Sequence, residues 1–167
     1  GLEIGGWDAW AKVPWRGRSK DFAGIYWRGQ YRMGLVVKKR RIFNHEFGHF
    51  LDDVIVATRP GKGKIPVTAK RSIGKALNKA RKRALAQLIK RDSSWRHMSV
   101  FWEVDWQTFW KVPNLDTVSA YGLSSPAEFW AECVEAYMDK GNRLLVKEPE
   151  MYKLIKKHVF NGREFLK

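Results

Sequence analysis

The chain has 167 residues, nine Trp and a hydrophobic fraction of 44%, which is enough for one folded domain with its own core and excludes a disordered chain. Its formal net charge of +15 favours acidic partners. The single cysteine, Cys133, excludes an intrachain disulfide, and no apolar run is long enough for a membrane-spanning helix. We expect one domain over residues 1–167 and a monomer, with Cys133 as a small buried residue.

The first third of the chain carries weak secondary-structure signals. Gly1 is neither Met nor the start of an apolar leader, and we therefore expect the chain to be part of a longer protein. Residues 1–24 are rich in Trp, Gly and Arg without a clear period, which favours irregular backbone with a short helix near Trp7–Lys12. The segment Tyr26–Lys39 predicts one or two short strands, of which Met33–Lys38 is the clearest.

The most informative motif follows these strands. It is His45-Glu46-Phe47-Gly48-His49, a His-Glu-x-x-His pattern. On a helix, residues four apart lie on the same face, so His45 and His49 can both bind one tetrahedral Zn²⁺. Glu46 would then lie where it can accept a proton from a water molecule as a general base. The alternative is a chance match in an ordinary helix.

Apolar residues surround this motif, and they favour the zinc interpretation. They are Phe43, Phe47, Phe50, Leu51 and Val54. Their spacing predicts a continuous apolar stripe on a helix at the centre of the fold. Two histidines and a glutamate on a buried helix need charged or hydrogen-bonding partners, and a metal ion would supply them.

The next segment holds most of the positive charge. Twelve Lys and Arg residues and no Asp or Glu occur between Arg59 and Arg91. Proline and glycine predict a loop over Arg59–Thr68. Lys70–Asp92 predicts an amphipathic helix with its apolar face formed by Ile73, Leu77, Ala80, Ala84 and Leu88. We interpret residues 59–92 as a basic loop-helix insertion.

Three interpretations of the basic segment Lys70–Arg91 are open. The simplest is a surface helix whose lysines are solvated, and it is the one we favour. The second is a basic wall beside the active site that attracts acidic substrates. The third is binding to nucleic acid or to an anionic membrane surface. Aromatic residues are not interleaved with the basic ones, which argues against a stacking surface for single strands.

The segment Ser93–Lys111 contains four tryptophans, which are Trp95, Trp102, Trp106 and Trp110. We expect them to pack in the core. The alternative is an aromatic rim that contacts substrate, because an exposed patch of that size would need a ligand.

A second helix offers the third zinc ligand. Ser124-Ser125-Pro126-Ala127-Glu128 is a typical helix start, and the apolar residues that follow predict a largely buried helix. Glu128 and Glu132 are four residues apart, so one can bind the metal while the other orients a ligand histidine. An ordinary capping glutamate and a solvent-facing one are the alternative. Of the other histidines, His97 and His158 lie in basic, polar surroundings that indicate the surface.

The last part of the chain predicts a short helical end. Gly141-Asn142 should terminate the helix that contains Glu128. A final helix is expected over Glu148–Phe160 with Pro149 in its first turn, followed by a tail over Asn161–Lys167.

Several of these residues together resemble a known family. The resemblance lies in the histidine motif, a following Asp pair, a tyrosine, and a glutamate seven residues after that tyrosine, in the segments His45–His49, Asp52-Asp53, Ala120–Gly122, Ala127–Phe129 and Ala131-Glu132. Over about residues 33–56 and 117–140 the chain looks like the catalytic domain of anthrax lethal factor and the related Pro-Pro endopeptidases.

The resemblance implies a role for each residue. His45, His49 and Glu128 would bind one Zn²⁺ per chain, with Glu46 as the base. The Tyr121 hydroxyl would stabilise the oxyanion, and Glu132 would support a ligand histidine. Without the resemblance, Tyr121 is better interpreted as a packing residue in a Tyr-Gly turn.

The sequence therefore predicts an α+β fold, a mainly helical zincin-like metallopeptidase domain with a small β-sheet and an inserted basic helix. The predicted activity is zinc-dependent cleavage of internal peptide bonds in a protein substrate, and an acidic substrate is one option that the basic segment leaves open. The resemblance implies a bacterial or phage-borne effector or toxin domain, secreted or delivered into a target cell. The alternative is a basic nucleic-acid-associated protein, for example of a phage virion, whose zincin site is secondary or vestigial.

Overall fold

The computed structural model describes residues 3–6, 24–28, 30–35, 39–59, 63–93 and 114–165. The helix predicted near Trp7–Lys12 and the tryptophan segment from Trp95 to Lys111, with His97, lie outside these residues. In the described part the strands are β1 (Glu3–Gly6), β2 (Gly24–Trp27), β3 (Arg32–Leu35), β4 (Val56–Arg59) and β5 (Gly63–Pro66). The helices are α1 (Arg40–Val54), α2 (Arg71–Arg91), α3 (Pro126–Asp139), α4 (Gly141–Lys147) and α5 (Pro149–His158).

The described strands form two small sheets. In the first, β3 is central, parallel to β1 and antiparallel to β2, with Tyr26 opposite Met33. The second is the antiparallel pair β4–β5. The α+β fold with helices in the majority is confirmed. So are the strands predicted between Tyr26 and Lys39, although β3 begins one residue before the predicted Met33.

One prediction in the basic segment is wrong. Residues Arg59–Thr68 were expected to be a loop, but β5 (Gly63–Pro66) pairs with β4, and a 3-10 turn follows at Val67–Ala69. The β-branched residues Val56, Thr58 and Ile65 favour paired strands over a loop. Glycine and proline here mark the ends of strands, and this is the local signal that the sequence interpretation misjudged.

Helix α3 lies in the core. Its side chains Phe129, Trp130 and Tyr137 are fully buried, as its composition predicted. The predicted helix Lys70–Asp92 is confirmed as α2, and its predicted apolar face is buried, with exposures of 4% or less for Ile73, Leu77, Ala80, Ala84 and Leu88. Cys133 is buried, also as predicted. A hydrophobic interior between α2, α3 and α5 therefore supports the site described below.

Helix α1 is buried differently from the prediction. The apolar residues around its histidines were expected to form a buried stripe, but only Leu51 is buried, Phe43, Phe47 and Phe50 are half-buried, and Val54 is exposed. The buried positions of α1 are Asn44, Glu46, Gly48, Leu51 and Asp52. The helix thus turns small and polar residues inward, since Gly48 lies against Ala131 of α3 and Asp52 meets Arg28 and Thr68. Phe47 and Phe50 pack against the core while remaining half-buried.

The C-terminal region contains one element that was not predicted. Helix α3 ends at Asp139, as expected, but α4 begins at once at Gly141. The predicted final helix is confirmed as α5, with Pro149 in its first turn. Part of the predicted tail packs onto the domain, since Phe165 contacts Phe160 and Tyr137. Among the described helices, none has the length and apolar character needed to cross a bilayer.

Candidate metal centre

Close packing of α1 on α3 brings the candidate residues together. A Cβ atom added to Gly48 would lie 2.7 Å from the Cα of Ala131, so only glycine allows this approach. The indole Nε1 of Trp130 donates a hydrogen bond to the Gly48 carbonyl at 2.9 Å. Gly48 lies between His45 and His49 in the sequence, and its contact with α3 therefore places both histidines beside that helix.

The start of α3 fixes Glu128. The Ser125 hydroxyl accepts a hydrogen bond from the backbone N–H of Glu128 at 3.1 Å, and Pro126 occupies the first turn. This is the helix start that the sequence predicted. It places the Glu128 carboxylate in the first turn of α3, above the two histidines of α1.

Three candidate ligand atoms converge at this point. The Glu128 Oε2 atom lies 3.1 Å from His45 Nε2 and 3.3 Å from His49 Nε2. Two ligand atoms bound to one tetrahedral Zn²⁺ at about 2.0 Å lie roughly 3.3 Å apart. The three side chains therefore have the donor chemistry and the spacing that a zinc ion needs.

The hydrogen bonds around His45 give a second test of this fit. His45 Nδ1 lies 3.0 Å from Glu132 Oε1, so the ring donates its Nδ1–H to that carboxylate. In the neutral ring Nε2 then carries a lone pair, and it faces another acceptor, the Glu128 carboxylate. Two facing acceptors require a cation between them, which is either a proton or a metal ion.

The pKa values of His45 and Glu128 reflect this need for a cation. Burial alone would lower the pKa of His45, but the hydrogen bonds to Glu128 and Glu132 outweigh it and raise the pKa to about 10. Burial would raise the pKa of Glu128, yet the hydrogen bonds from His45 and His49 hold it far below its usual value. The site therefore stabilises positive charge at the position where the three atoms meet.

Glu46 lies beside this position and is 7% exposed. Burial raises its pKa, while the neighbouring His45 and His49 oppose the rise. Its carboxylate accepts a hydrogen bond from the backbone of Tyr26 in β2. The Glu46 side chain therefore lies between α1, to which it belongs, and the first sheet.

Tyr121 also belongs to this cluster. It occupies a 3-10 turn at Tyr121–Leu123, and its ring centroid lies 5.7 Å from that of His45. Burial and the nearby Glu128, to which it is hydrogen-bonded, raise the pKa of its hydroxyl. The hydroxyl thus stays protonated at neutral pH and can donate a hydrogen bond.

Glu132 lies where the sequence predicted it, but two of its neighbours were missed. Glu135 Oε2 lies 3.8 Å from His45 Nδ1, and Arg41 Nε donates to Glu135 Oε1 at 2.6 Å. Burial and the adjacent Glu132 raise the pKa of Glu135 to about 7. Spacing could have identified both residues, since Arg41 is four residues before His45 and Glu135 is three after Glu132.

The Asp pair after the histidines ties β2 to α1. Asp52 is completely buried and accepts from Arg28 at 2.6 Å and from the backbone and hydroxyl of Thr68 at 2.8 and 2.9 Å. The Tyr26 hydroxyl donates to Asp53 at 2.7 Å. One end of the strand is thereby fixed beside the histidines.

The candidate residues line one pocket of about 300 Å³, formed by Gly24, Ile25, Tyr26, Arg28, His45, Glu46, His49, Tyr121, Ala127 and Glu128. The structure thus brings together all six residues singled out from the sequence, five of them lining this pocket and Glu132 behind His45. His158 is exposed on α5, as expected. In the described part of the chain, the other possible metal-binding group is His45, Glu132 and Glu135, which shares His45 with the first.

A comparison with protein families agrees with this chemistry. The model of the glucose-regulated metallo-peptidase M90 family matches residues 36–160, about three quarters of the chain. The match includes every residue of the His45–Glu128 cluster. No match was found among curated proteins or among solved structures. The extent of the family match shows that this chain belongs to the glucose-regulated metallo-peptidase M90 family, and it is thus a metallopeptidase.

Proposed function

We propose that the chain is a zinc-dependent endopeptidase, with one Zn²⁺ held by His45, His49 and Glu128. The observation that carries this proposal is the convergence of both histidine Nε2 atoms on Glu128 Oε2, at 3.1 and 3.3 Å. Bound there, zinc would act as a Lewis acid toward water and the scissile carbonyl. Glu132 would hold His45 in the tautomer that presents Nε2 to the metal.

We assign proton transfer to Glu46. Its carboxylate lines the pocket beside the histidines and is fixed by the backbone of Tyr26. It would accept a proton from the attacking water and pass it to the leaving amine. The Tyr121 hydroxyl would donate a hydrogen bond to the developing oxyanion. In this structure the Tyr121 hydroxyl is hydrogen-bonded to Glu128. When substrate binds, the hydroxyl would have to exchange this hydrogen bond for one to the substrate.

Strand β2 would hold the substrate. It lies at one edge of the three-stranded sheet, next to α1, and a Cβ on its Gly24 would lie 2.7 Å from Ile42 and 3.0 Å from Glu46. An edge strand can bind an extended peptide by main-chain hydrogen bonds. Because β2 and the ligand pocket are contiguous, the peptide bond in such a complex would lie close to Glu46.

Arg28 at the pocket and the net charge of the chain favour an acidic substrate. Arg28 follows β2, lines the pocket and is 46% exposed. Its contact with the buried Asp52 fixes the guanidinium, while the net charge of +15 would attract acidic peptides from a distance. The resemblance to lethal factor and the Pro-Pro endopeptidases, with delivery as an effector, is a proposal that rests on the sequence motifs.

Binding to nucleic acid is the second candidate function. The solvent face of α2 carries the exposed basic residues Arg71, Lys75 and Lys82, and the helix contains no acidic residue. Such a face can contact phosphates without base specificity. Binding of duplex DNA that weakens steeply with added salt and persists after zinc removal would favour this function.

Metal content and peptide cleavage test the main proposal together. We expect about one zinc per chain by plasma mass spectrometry, and its loss in His45→Ala and Glu128→Ala. The zinc-loaded protein should cleave members of a peptide library, and a chelator should stop the reaction. The matched control is Glu46→Gln, which should keep its zinc but lose activity. Zinc retained by well-folded Glu128→Ala, or cleavage undiminished in Glu46→Gln, would contradict the proposal.

A further inference from the structure

An arginine of the basic helix α2 reaches the turn that carries Tyr121. Arg81 Nε and Nη2 donate to the Leu123 carbonyl at 2.9 and 2.7 Å, and Nη2 also lies 3.2 Å from the Ser124 carbonyl. Arg81 is half-buried, and burial lowers the pKa of its guanidinium. A guanidinium that gives up hydration to bind backbone carbonyls in this forked manner restricts the backbone it contacts.

The two carbonyls lie between two residues of the proposed active site. Leu123 ends the 3-10 turn that begins with Tyr121, and Ser124 precedes the cap residue of α3. Glu128 follows in the first turn of α3. A shift of this short backbone segment would therefore move the Tyr121 hydroxyl and the Glu128 carboxylate together.

The turn is also held by Glu132, which supports His45, and by Ser119. A Cβ on Gly122 would lie 3.4 Å from the side chain of Glu132, so the turn packs closely on α3. The Ser119 hydroxyl accepts from the Gly122 backbone at 3.0 Å and is also hydrogen-bonded to Glu132. The turn is thus held between Arg81 on one side and Ser119 and Glu132 on the other.

We propose that Arg81 is a positioning residue of the active site, which clamps the segment Tyr121–Ser124 so that Tyr121 and Glu128 keep their places beside His45. The proposal rests on the proposed peptidase function. It gives the basic helix a role beyond that of a solvated surface element. Arg81 itself does not touch the substrate, and it acts through the backbone of the turn.

Helix α2 also provides a matched control two residues away. Arg83 is half-buried like Arg81 and donates to the Lys147 carbonyl at 3.0 Å and to the buried Glu148 at 2.5 Å. It anchors the same helix to α4 and to the start of α5, and its Nε also donates to the Asp116 carbonyl at 3.4 Å. Among the described residues, its hydrogen bonds do not reach the segment 119–128 that Arg81 contacts. Loss of Arg83 should therefore destabilise the domain without moving Tyr121 or Glu128.

The experiment compares Arg81→Met, Arg81→Lys and Arg83→Met in the full chain. Backbone amide exchange over residues 119–127 should be at least tenfold faster in Arg81→Met and unchanged in Arg83→Met. Competition with a chelating dye should show zinc binding weakened at least threefold in Arg81→Met alone. For zinc-loaded protein, kcat should fall roughly 10- to 100-fold with KM within twofold, as expected when reacting groups are displaced by about 1 Å.

Arg81→Lys should lie between Arg81→Met and wild type, because lysine keeps the charge but cannot bind both carbonyls as a fork. If Arg81→Met fails to fold, Arg81→Lys alone tests whether Arg81 positions the turn. Wild-type exchange and kcat in Arg81→Lys, or the same losses in Arg83→Met as in Arg81→Met, would overturn the proposal. If wild type cleaves no peptide, the proposed function fails, while exchange and zinc competition still decide the role of Arg81.

Discussion

Helices α1 and α2 bury opposite kinds of side chain. α1 buries Asn44, Glu46 and Asp52 and leaves Val54 exposed, whereas α2 buries aliphatic residues and exposes most of its lysines. Burial of polar groups is costly unless each finds a partner, so α1 gains stability only in combination with its neighbours. α2 follows the usual amphipathic rule. The difference indicates that substitutions on the inner face of α1 should change chemistry, whereas those on the outer face of α2 should change little.

The largest effect should come from Glu46 on α1. Glu46→Gln keeps the size and burial of the side chain but removes the base, so kcat should fall by roughly 10²- to 10⁴-fold. Steady-state kinetics on a cleaved peptide would measure this, with zinc content determined on the same sample. A variant that loses its zinc as well would show that Glu46 supports the metal site and is more than a base.

Glu132 should have the second largest effect. Glu132→Ala removes the acceptor for His45 Nδ1–H, and we expect zinc affinity to fall roughly 10- to 100-fold. Glu132→Gln retains an acceptor oxygen and should lose less. Competition with a chelating dye would measure both. Equal affinity in wild type and Glu132→Ala would show that Glu135, which lies 3.8 Å from the same nitrogen, can replace it.

A pair of glycine variants compares the packing of the two helices directly. Gly48→Ala would place a Cβ 2.7 Å from the backbone of Ala131, and it should lower the free energy of unfolding by about 1–2 kcal/mol after the helix-propensity gain of alanine. In the described part of the chain, a Cβ on Gly74 of α2 meets no packing neighbour within 4 Å.

The control Gly74→Ala should therefore stabilise the protein by about 0.5–1 kcal/mol, because alanine is the better helix former. Urea unfolding of both variants gives the two changes on one scale. If Gly48→Ala also raised the free energy of unfolding, the contact between α1 and α3 would be looser than the structure indicates.

The smallest effect should come from the outer face of α2. Lys82 is exposed, and Lys82→Gln should change the free energy of unfolding by less than about 0.5 kcal/mol and leave zinc affinity unchanged. Thermal unfolding and the same dye competition would test this. A larger loss of stability or of zinc affinity would mean that Lys82 makes a contact that the rest of the protein depends on.

The sequence predicted most of the metal cluster because its chemistry depends on fixed spacing. The four-residue step in His45–His49 and the capped start of α3 are local patterns, and the structure brings these elements together. Tyr121 was identified only through a family resemblance, because a tyrosine in a turn has no distinguishing pattern. The orientation of α1 was mispredicted, since hydrophobicity alone does not reveal distant polar partners such as Arg28 and Thr68, which contact Asp52.

The arginines of α2 show another limit of sequence interpretation. Arg81 and Arg83 bind backbone carbonyls, and every residue has a carbonyl, so no motif marks these contacts. The amphipathic pattern predicted which α2 residues are buried, but not that two of its arginines reach inward to other elements. Strand β5 was missed for a different reason, because Gly63 and Pro66 were interpreted as loop residues, whereas they mark the two ends of a strand that pairs with β4.

The ligands proposed for zinc come from two helices that are far apart in the sequence. His45 and His49 lie on α1, and Glu128 lies on α3. An ion bound by all three closes a long chain loop and binds the unfolded chain poorly, so free zinc at 100 times its dissociation constant would add about 2.7 kcal/mol to the stability. Metal supply would then govern how long the protein survives as well as how fast it works. Protein that has lost its ion would then also be degraded sooner, because proteases cleave the unfolded chain.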